Sequence, residues 1–146
     1  MIPRFGTPPG RRAHRLRPGA YGLLIRDGAA LLTFQQAPAP EFQLPGGGID
    51  PGESPLAALH REVREETGWS IGNPRRLGAY RRFCHMPDYG FWAEKLCTLW
   101  LARPVVRLGA PSEPGHEAHW VPLRQVAELL PDPGSRALVR AALRRI

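Results

Sequence analysis

A mixed α/β fold, with helices packed on a curved mixed β-sheet, is what this sequence predicts, and three observations carry that expectation. Asp27-Gly28 sits between two apolar runs, residues 20–26 and 29–35, and this dipeptide suits the two-residue turn of a β-hairpin. Residues 54–67 read as a helix with both ends marked: Ser54 as N-cap, Pro55 at the first helical position, and Gly68 as a left-handed residue past the end. The later elements run as strands and then helices without regular β-α alternation, which points to a layered mixed sheet.

Local signals place the other elements. Residues 42–44 read as a short strand that ends at Pro45. Gly46, Gly47 and Gly48 read as loop, because glycine is costly in regular structure and cheap where the backbone must approach something closely. Residues 76–85 and 94–102 read as strands, with an aromatic loop at 86–92 between them, and Trp120 and Val121 mark another short strand. Pro122 starts a turn into a short helix at 124–130. Residues 135–145 form a terminal amphipathic helix with Leu138, Val139, Ala142 and Leu143 inward.

A chain of 146 residues buries one real core and is too short for two ordinary domains. Its 42% hydrophobic and 23% charged residues are those of a globular protein, and its 17 prolines and 16 glycines promise many loops. Apolar stretches reach strand length only, so none crosses a bilayer, and no membrane partner is expected. No apolar segment precedes a small-residue cleavage site near the N-terminus, so the expected location is cytoplasmic. Cys84 and Cys97 lack metal-ligand spacing and read as small buried hydrophobes, a disulfide or reactive thiol being the alternative.

Net charge is +7, carried almost wholly by arginine, since Lys95 is the sole lysine. Such a surface either steers anionic partners such as nucleotides or RNA, or reflects a bias toward arginine without functional meaning. Residues 1–18, with Arg4, Arg11, Arg12, Arg15 and Arg17 and no acid, read as a basic flexible arm ahead of a domain at 19–146. The arm is either a solvated tail or a clamp for phosphate or RNA.

Successive residues of the helix at 54–67 turn by about 100°, so Glu62, Glu65 and Glu66 fall within an arc of roughly 100°. Leu56, Leu59 and Val63 occupy the adjoining arc and form the stripe expected to face the core. Like charges one turn apart cost a few tenths of a kcal/mol per pair, so the acids need counter-charge. Arg61 and Arg64 do not neutralise Glu53, Glu62, Glu65 and Glu66 together. A hard cation such as Mg²⁺ or Mn²⁺ is the natural remainder, and a solvated acidic face is the plain alternative. The glycines just before the helix offer backbone carbonyls and room for a phosphate chain.

Residues 47–69, GGIDPGESPLAALHREVREETGW, resemble the Nudix box at every position: Gly47, Glu53, Arg61, Glu62, Val63, Glu65, Glu66, Gly68 and Trp69. Seven single-residue requirements make a chance match on the order of one in 10⁸ per start position. The resemblance implies a Nudix-type α/β/α sandwich and a Mg²⁺-dependent hydrolase, Mn²⁺ being the other candidate metal. It implies Glu62 and Glu66 as leading metal ligands, Glu65 assisting, a backbone carbonyl at Gly46 or Gly47 completing the shell, and Arg61 orienting Glu53. It further implies a general base that is either Glu62 or a distal acid, of which Glu113 is preferred to Glu117.

The implied reaction cuts a diphosphate linkage in a nucleoside diphosphate joined to another moiety, through a water activated by bound metal. Gly46, Gly47 and Gly48 would receive the phosphates. Arg81 and Arg82 would meet phosphate, and Tyr89 and Trp92 would stack on a base or sugar; Tyr80, Phe83 and Phe91 are further stacking candidates. Core packing is the alternative for each aromatic. His60, His85, His116 and His119 lack ligand spacing and read as surface or hydrogen-bonded residues. Small nucleotides are the favoured partner, with capped RNA a second candidate and a homodimer compatible with the family. The contrasting function is a catalytically inactive nucleotide- or RNA-binding module of the same fold, against which the intact Glu62, Glu65 and Glu66 set weighs.

Overall fold

The computed structural model describes residues 1–7, 14–86 and 91–146. Eleven elements follow in order among the described residues: β1 (Arg4–Phe5), β2 (His14–Arg26), β3 (Ala29–Gln35), β4 (Glu41–Gln43), β5 (Gly46–Gly48), α1 (Pro55–Thr67), β6 (Trp69–Met86), β7 (Phe91–Arg107), β8 (His116–Pro122), α2 (Leu123–Leu129) and α3 (Pro133–Leu143). The strands form one mixed sheet in the order β1-β6-β7-β2-β3-β4, with β5 on β2 and β8 on β3. β2 runs parallel to β7 and antiparallel to β3. The hairpin turns at Asp27 and Gly28 with φ of 52° and 78°, the positive pair that a primed two-residue turn requires.

The apolar runs of the hairpin are continuous because both faces of the sheet are covered. Neighbouring residues on a strand point to opposite faces, so Leu23 and Leu32 join Val126, Leu130 and Val139 beneath α2 and α3, while Leu24 and Leu31 join Leu59 and Val63 beneath α1. The result is the expected α/β/α sandwich. Among the described residues no helix is long and apolar enough to cross a membrane.

Several elements differ from expectation for identifiable reasons. Gly46–Gly48 is a strand, pairing antiparallel with Gly19, Ala20 and Tyr21. Glycine propensity argues for loop, but here the neighbouring backbone lies so close that a Cβ on Gly46 would strike the Ala20 carbonyl oxygen. β6 and β7 run beyond 76–85 and 94–102, taking in Met86 at one end of the expected aromatic loop and Phe91 and Trp92 at the other. Bulges within residues 69–78 let β6 continue past Gly72 and Pro74.

Residues 14–18, grouped with the arm on composition, form the first part of β2, and Arg4–Phe5 pair with Arg81 and Arg82 at the outer edge of β6. α3 begins at Pro133 because Asp132 caps it, its carboxylate accepting from the amides of Gly134 and Ser135. In α1 the buried arc is rotated toward the acids: Leu56 is 38% exposed, whereas Ala58 and Glu66 are buried. Cys97 is buried and its thiol is pushed up to about 11, chiefly by desolvation, while Cys84 is only half-buried.

The two ends of α1 fix where the acids stand. Ser54 accepts a hydrogen bond from the Ala57 amide, and Gly68 takes φ 79° while donating to the Arg64 carbonyl. A Cβ on Gly68 would run into the Gly109 carbonyl oxygen as well as strain the backbone. Gly68→Ala is therefore expected to cost more than the roughly 1 kcal/mol expected for Ser54→Ala, measured as shifts in the urea midpoint at constant slope.

Candidate active site

Arg61, in the middle of α1, gathers the acids around itself. Its Nε and Nη2 each donate to one Glu53 carboxylate oxygen at 2.8 Å, a bidentate pair that ties the loop before α1 to the helix. Nη1 donates to Glu62 Oε1 at 2.8 Å and to Glu65 Oε2 at 3.4 Å, and Nη2 donates to the Gly48 carbonyl at 3.1 Å. The hydrogen bonds from Arg61, and then the Asp50 amide, hold the Glu53 carboxyl at about 2. Glu53 is thus committed to structure: it positions Arg61.

Glu66 lies beyond the reach of that guanidinium. Its side chain is 7% exposed; Oε1 accepts from the Gly46 amide at 2.8 Å, and Oε2 lies 3.5 Å from His116 Nδ1. His116 Nδ1 is also 2.8 Å from the Thr33 hydroxyl on β3, so this histidine fastens β8 and β3 beside the acid. Desolvation pushes the Glu66 carboxyl up to about 8 despite the Gly46 hydrogen bond, with further upward pressure from Glu62, Glu113 and Glu65. Glu62 is raised for the same leading reason, against the pull of Arg61.

Among the described residues no three His, Cys, Asp or Glu side chains stand as a closed ligand set. Two carboxylates nevertheless converge on one backbone segment. A Cβ on Gly47 would lie 2.7 Å from the Glu62 carboxyl carbon, and Glu66 grips the adjacent amide. Hard carboxyl oxygens converging on one backbone segment, with the Glu66 group pushed toward its neutral form by burial, fit a small divalent cation such as Mg²⁺ or Mn²⁺.

The loop before β8 closes the far end. Ser112 and Glu113 amides both donate to the Glu65 carbonyl at 2.8 Å, which sets Glu113 beside the end of α1, where its charge acts on Glu62 and Glu66. Glu117 is exposed and pairs with His119 at 3.2 Å.

On the other face of the sheet a cleft of about 160 Å³ opens between β4, the strands and the start of α3. Tyr21, Phe42, Gln43 and Tyr80 line it, with Arg82 and Lys95. Tyr21 joins this cleft to the acids, because a Cβ on Gly46 would lie 2.8 Å from the Tyr21 ring. Strand alternation divides the sequence candidates. Arg82 and Tyr80 face the cleft, but Arg81 points to the opposite face, where it donates to Glu94 at 3.3 Å alongside Arg4. Trp92 shares the face of β7 that carries Glu94, so neither Arg81 nor Trp92 joins the cleft. Tyr89 lies outside the described residues. Asp132 and Tyr21 carried no motif; the Asp-Pro pair before α3 was the one local sign, as a helix cap.

A family model for the NUDIX domain matches residues 15–142. The chain belongs to the NUDIX domain family. It is similar to a putative 8-oxo-dGTP diphosphatase of Bacillus subtilis (strain 168), 36% identical over 64 residues that cover 44% of this chain and 43% of that one. An RNA pyrophosphohydrolase of Halorhodospira halophila is 37% identical over 67 residues, covering 46% of this chain and 37% of that protein. The chain thus spans about two-fifths of the length of the curated relatives it matches. Among solved structures, a NUDIX hydrolase from Nitrosomonas europaea superposes with a TM-score of 0.70 at 21% identity, covering 85% of this chain and 86% of that one. A MutT NUDIX hydrolase from Burkholderia pseudomallei gives 0.64 at 27% identity, covering 86% and 96%. These likenesses extend the NUDIX fold well beyond the residues around α1.

In the metal-free NUDIX domain, Glu66 stays protonated when folded and ionises when unfolded over the range from its ordinary value of 4.5 to about 8. Its contribution to stability therefore falls as pH rises through that window, by about 1.4 kcal/mol per pH unit at most. Glu66→Gln should flatten the fall in urea titrations between pH 5 and pH 8, an approximate window set by the same two values. Equal slopes for both proteins would show that Glu66 is not desolvated as described.

Proposed function

We propose that this NUDIX domain hydrolyses a diphosphate linkage in a nucleoside diphosphate joined to another moiety, using Mg²⁺, with Mn²⁺ as a substitute. One observation carries the proposal: the Glu62 and Glu66 carboxyl groups converge on the Gly46-Gly47 backbone, where burial raises the pKa of both. The relatives named for 8-oxo-dGTP diphosphatase and RNA pyrophosphohydrolase activity support the same reaction class.

Glu62 and Glu66 would hold the cation, with Glu65 assisting and a Gly46 or Gly47 carbonyl as a further donor. When bound, such an ion offsets charge developing on phosphate oxygens and lowers the pKa of water. Arg61 keeps Glu62 and Glu65 in place and, through Glu53 and the Gly48 carbonyl, keeps the glycine strand against the helix. Gly46, Gly47 and Gly48 present backbone with no side chain in the way of the phosphates. Glu113, fastened beside Glu65 and free of any short ion pair among the described residues, takes the proton of the attacking water; Glu62 is the second candidate base. The nucleoside part lies over Tyr21 in the cleft, where Phe42 and Tyr80 offer aromatic surface.

A panel of nucleoside diphosphate derivatives incubated with Mg²⁺ should release nucleoside monophosphate, and chelation should stop the release. Glu66→Gln should lower kcat by about 100-fold or more, since losing even an outer partner of a metal ligand costs about 10- to 100-fold. Tight, salt-sensitive RNA binding without turnover on any member of the panel would overturn the hydrolase proposal.

A further inference from the structure

Arg82 on β6 and Lys95 on β7 stand directly opposite each other in the antiparallel pair, and both side chains line the cleft. Like charges in that relation are destabilising unless something anionic lies between them. Arg82 has partial compensation from Asp132, whose Oδ1 is 3.6 Å from its Nε. Lys95 has none: it is half-buried, and no described carboxylate comes within 4.0 Å of its ammonium.

The cleft's two acids carry negative charge of their own, but neither pairs directly with Lys95. Asp132 accepts from the Tyr80 hydroxyl, from the Ser135 hydroxyl at 3.0 Å and from the first amides of α3, so its oxygens are already occupied. Glu41, on β4, takes the side-chain amides of Gln43 at 2.6 Å and Gln35 at 3.2 Å on a single oxygen. A lysine ammonium is a compact point charge suited to phosphate, and the neighbouring guanidinium adds planar donors. Tyr21 lines the cleft with these two cations and lies against Gly46, so the cleft adjoins the glycine strand.

We propose that Lys95 and Arg82 form a second anion subsite, which takes a phosphate group on the substrate other than the diphosphate being cut. The substrate class is then a nucleotide phosphorylated at two places, with the extra phosphate either on the ribose or in the next phosphodiester of a short chain. This rests on the hydrolase reading for its meaning but not for its test, which measures binding.

Calorimetry compares nucleoside 5′-monophosphates of the four common bases with the matching 3′,5′-bisphosphates and with 5′-phosphorylated dinucleotides. At least one doubly phosphorylated form should bind about tenfold or more tightly than its monophosphate, as expected for one charge-assisted contact. Lys95→Gln should bring the ratio close to one, and Lys95→Arg should restore most of it. A gain for bisphosphates alone identifies a ribose phosphate, and a gain for dinucleotides alone identifies a phosphodiester. Ratios near one for every base in the unaltered protein overturn the subsite, whatever the turnover assay gives. A ratio that survives Lys95→Gln does the same. Turnover failing while the ratio holds would instead count against hydrolysis alone.

Discussion

Arg61 bonds to groups on three separate parts of the chain, and the layout of the acids follows from how far its charge extends. It satisfies Glu53 in the loop before α1, the Gly48 carbonyl at the end of β5, and Glu62 and Glu65 on its own helix. A bidentate guanidinium with four carboxylates around it, those of Asp50, Glu53, Glu62 and Glu65, is a network, which holds geometry better than an isolated surface pair does. Its reach ends before Glu66, which leans on the Gly46 amide instead. Arg61 therefore offsets the charge of Glu53, Glu62 and Glu65, while Glu66 stands outside its reach.

The glycine strand separates two regions with different duties. Gly47 approaches Glu62, whereas Gly46 lies against Tyr21, and Tyr21 belongs to the cleft under α3. The α1 side carries the clustered acids, and the cleft combines aromatic surface with Arg82 and Lys95. Because β5 pairs with β2, and β2 contributes leucines to both core clusters, the rigid centre of the sheet supports both regions at once.

Much of this was legible in the residues. Caps at Ser54 and Gly68 and the Asp27-Gly28 turn act locally, so the helix and the hairpin could be read from short windows. The grouping of Glu62, Glu65 and Glu66 followed from helical geometry, and the likeness to the family box named the same residues. Tertiary facts were less accessible. Gly46–Gly48 became a strand because of β2, a partner about 25 residues earlier in the chain. Glu66 turned out to sit within the buried arc, which an acid's polarity argues against unless the site uses it. Arg81 and Arg82 are adjacent in sequence yet serve opposite faces, and only the register of β6 against β7 decides which one meets the cleft.

The outer edge of β6 bears on how copies of the molecule meet. β1 covers it at Arg81 and Arg82, while Arg75 and Arg76 stand exposed further along, beside the bulges and the left-handed Asn73. Uncovered strand edges tend to recruit strands from other molecules. A strand adding here would meet two exposed guanidinium groups and an irregular backbone ladder. Both thus make this margin a poor template for sheet extension.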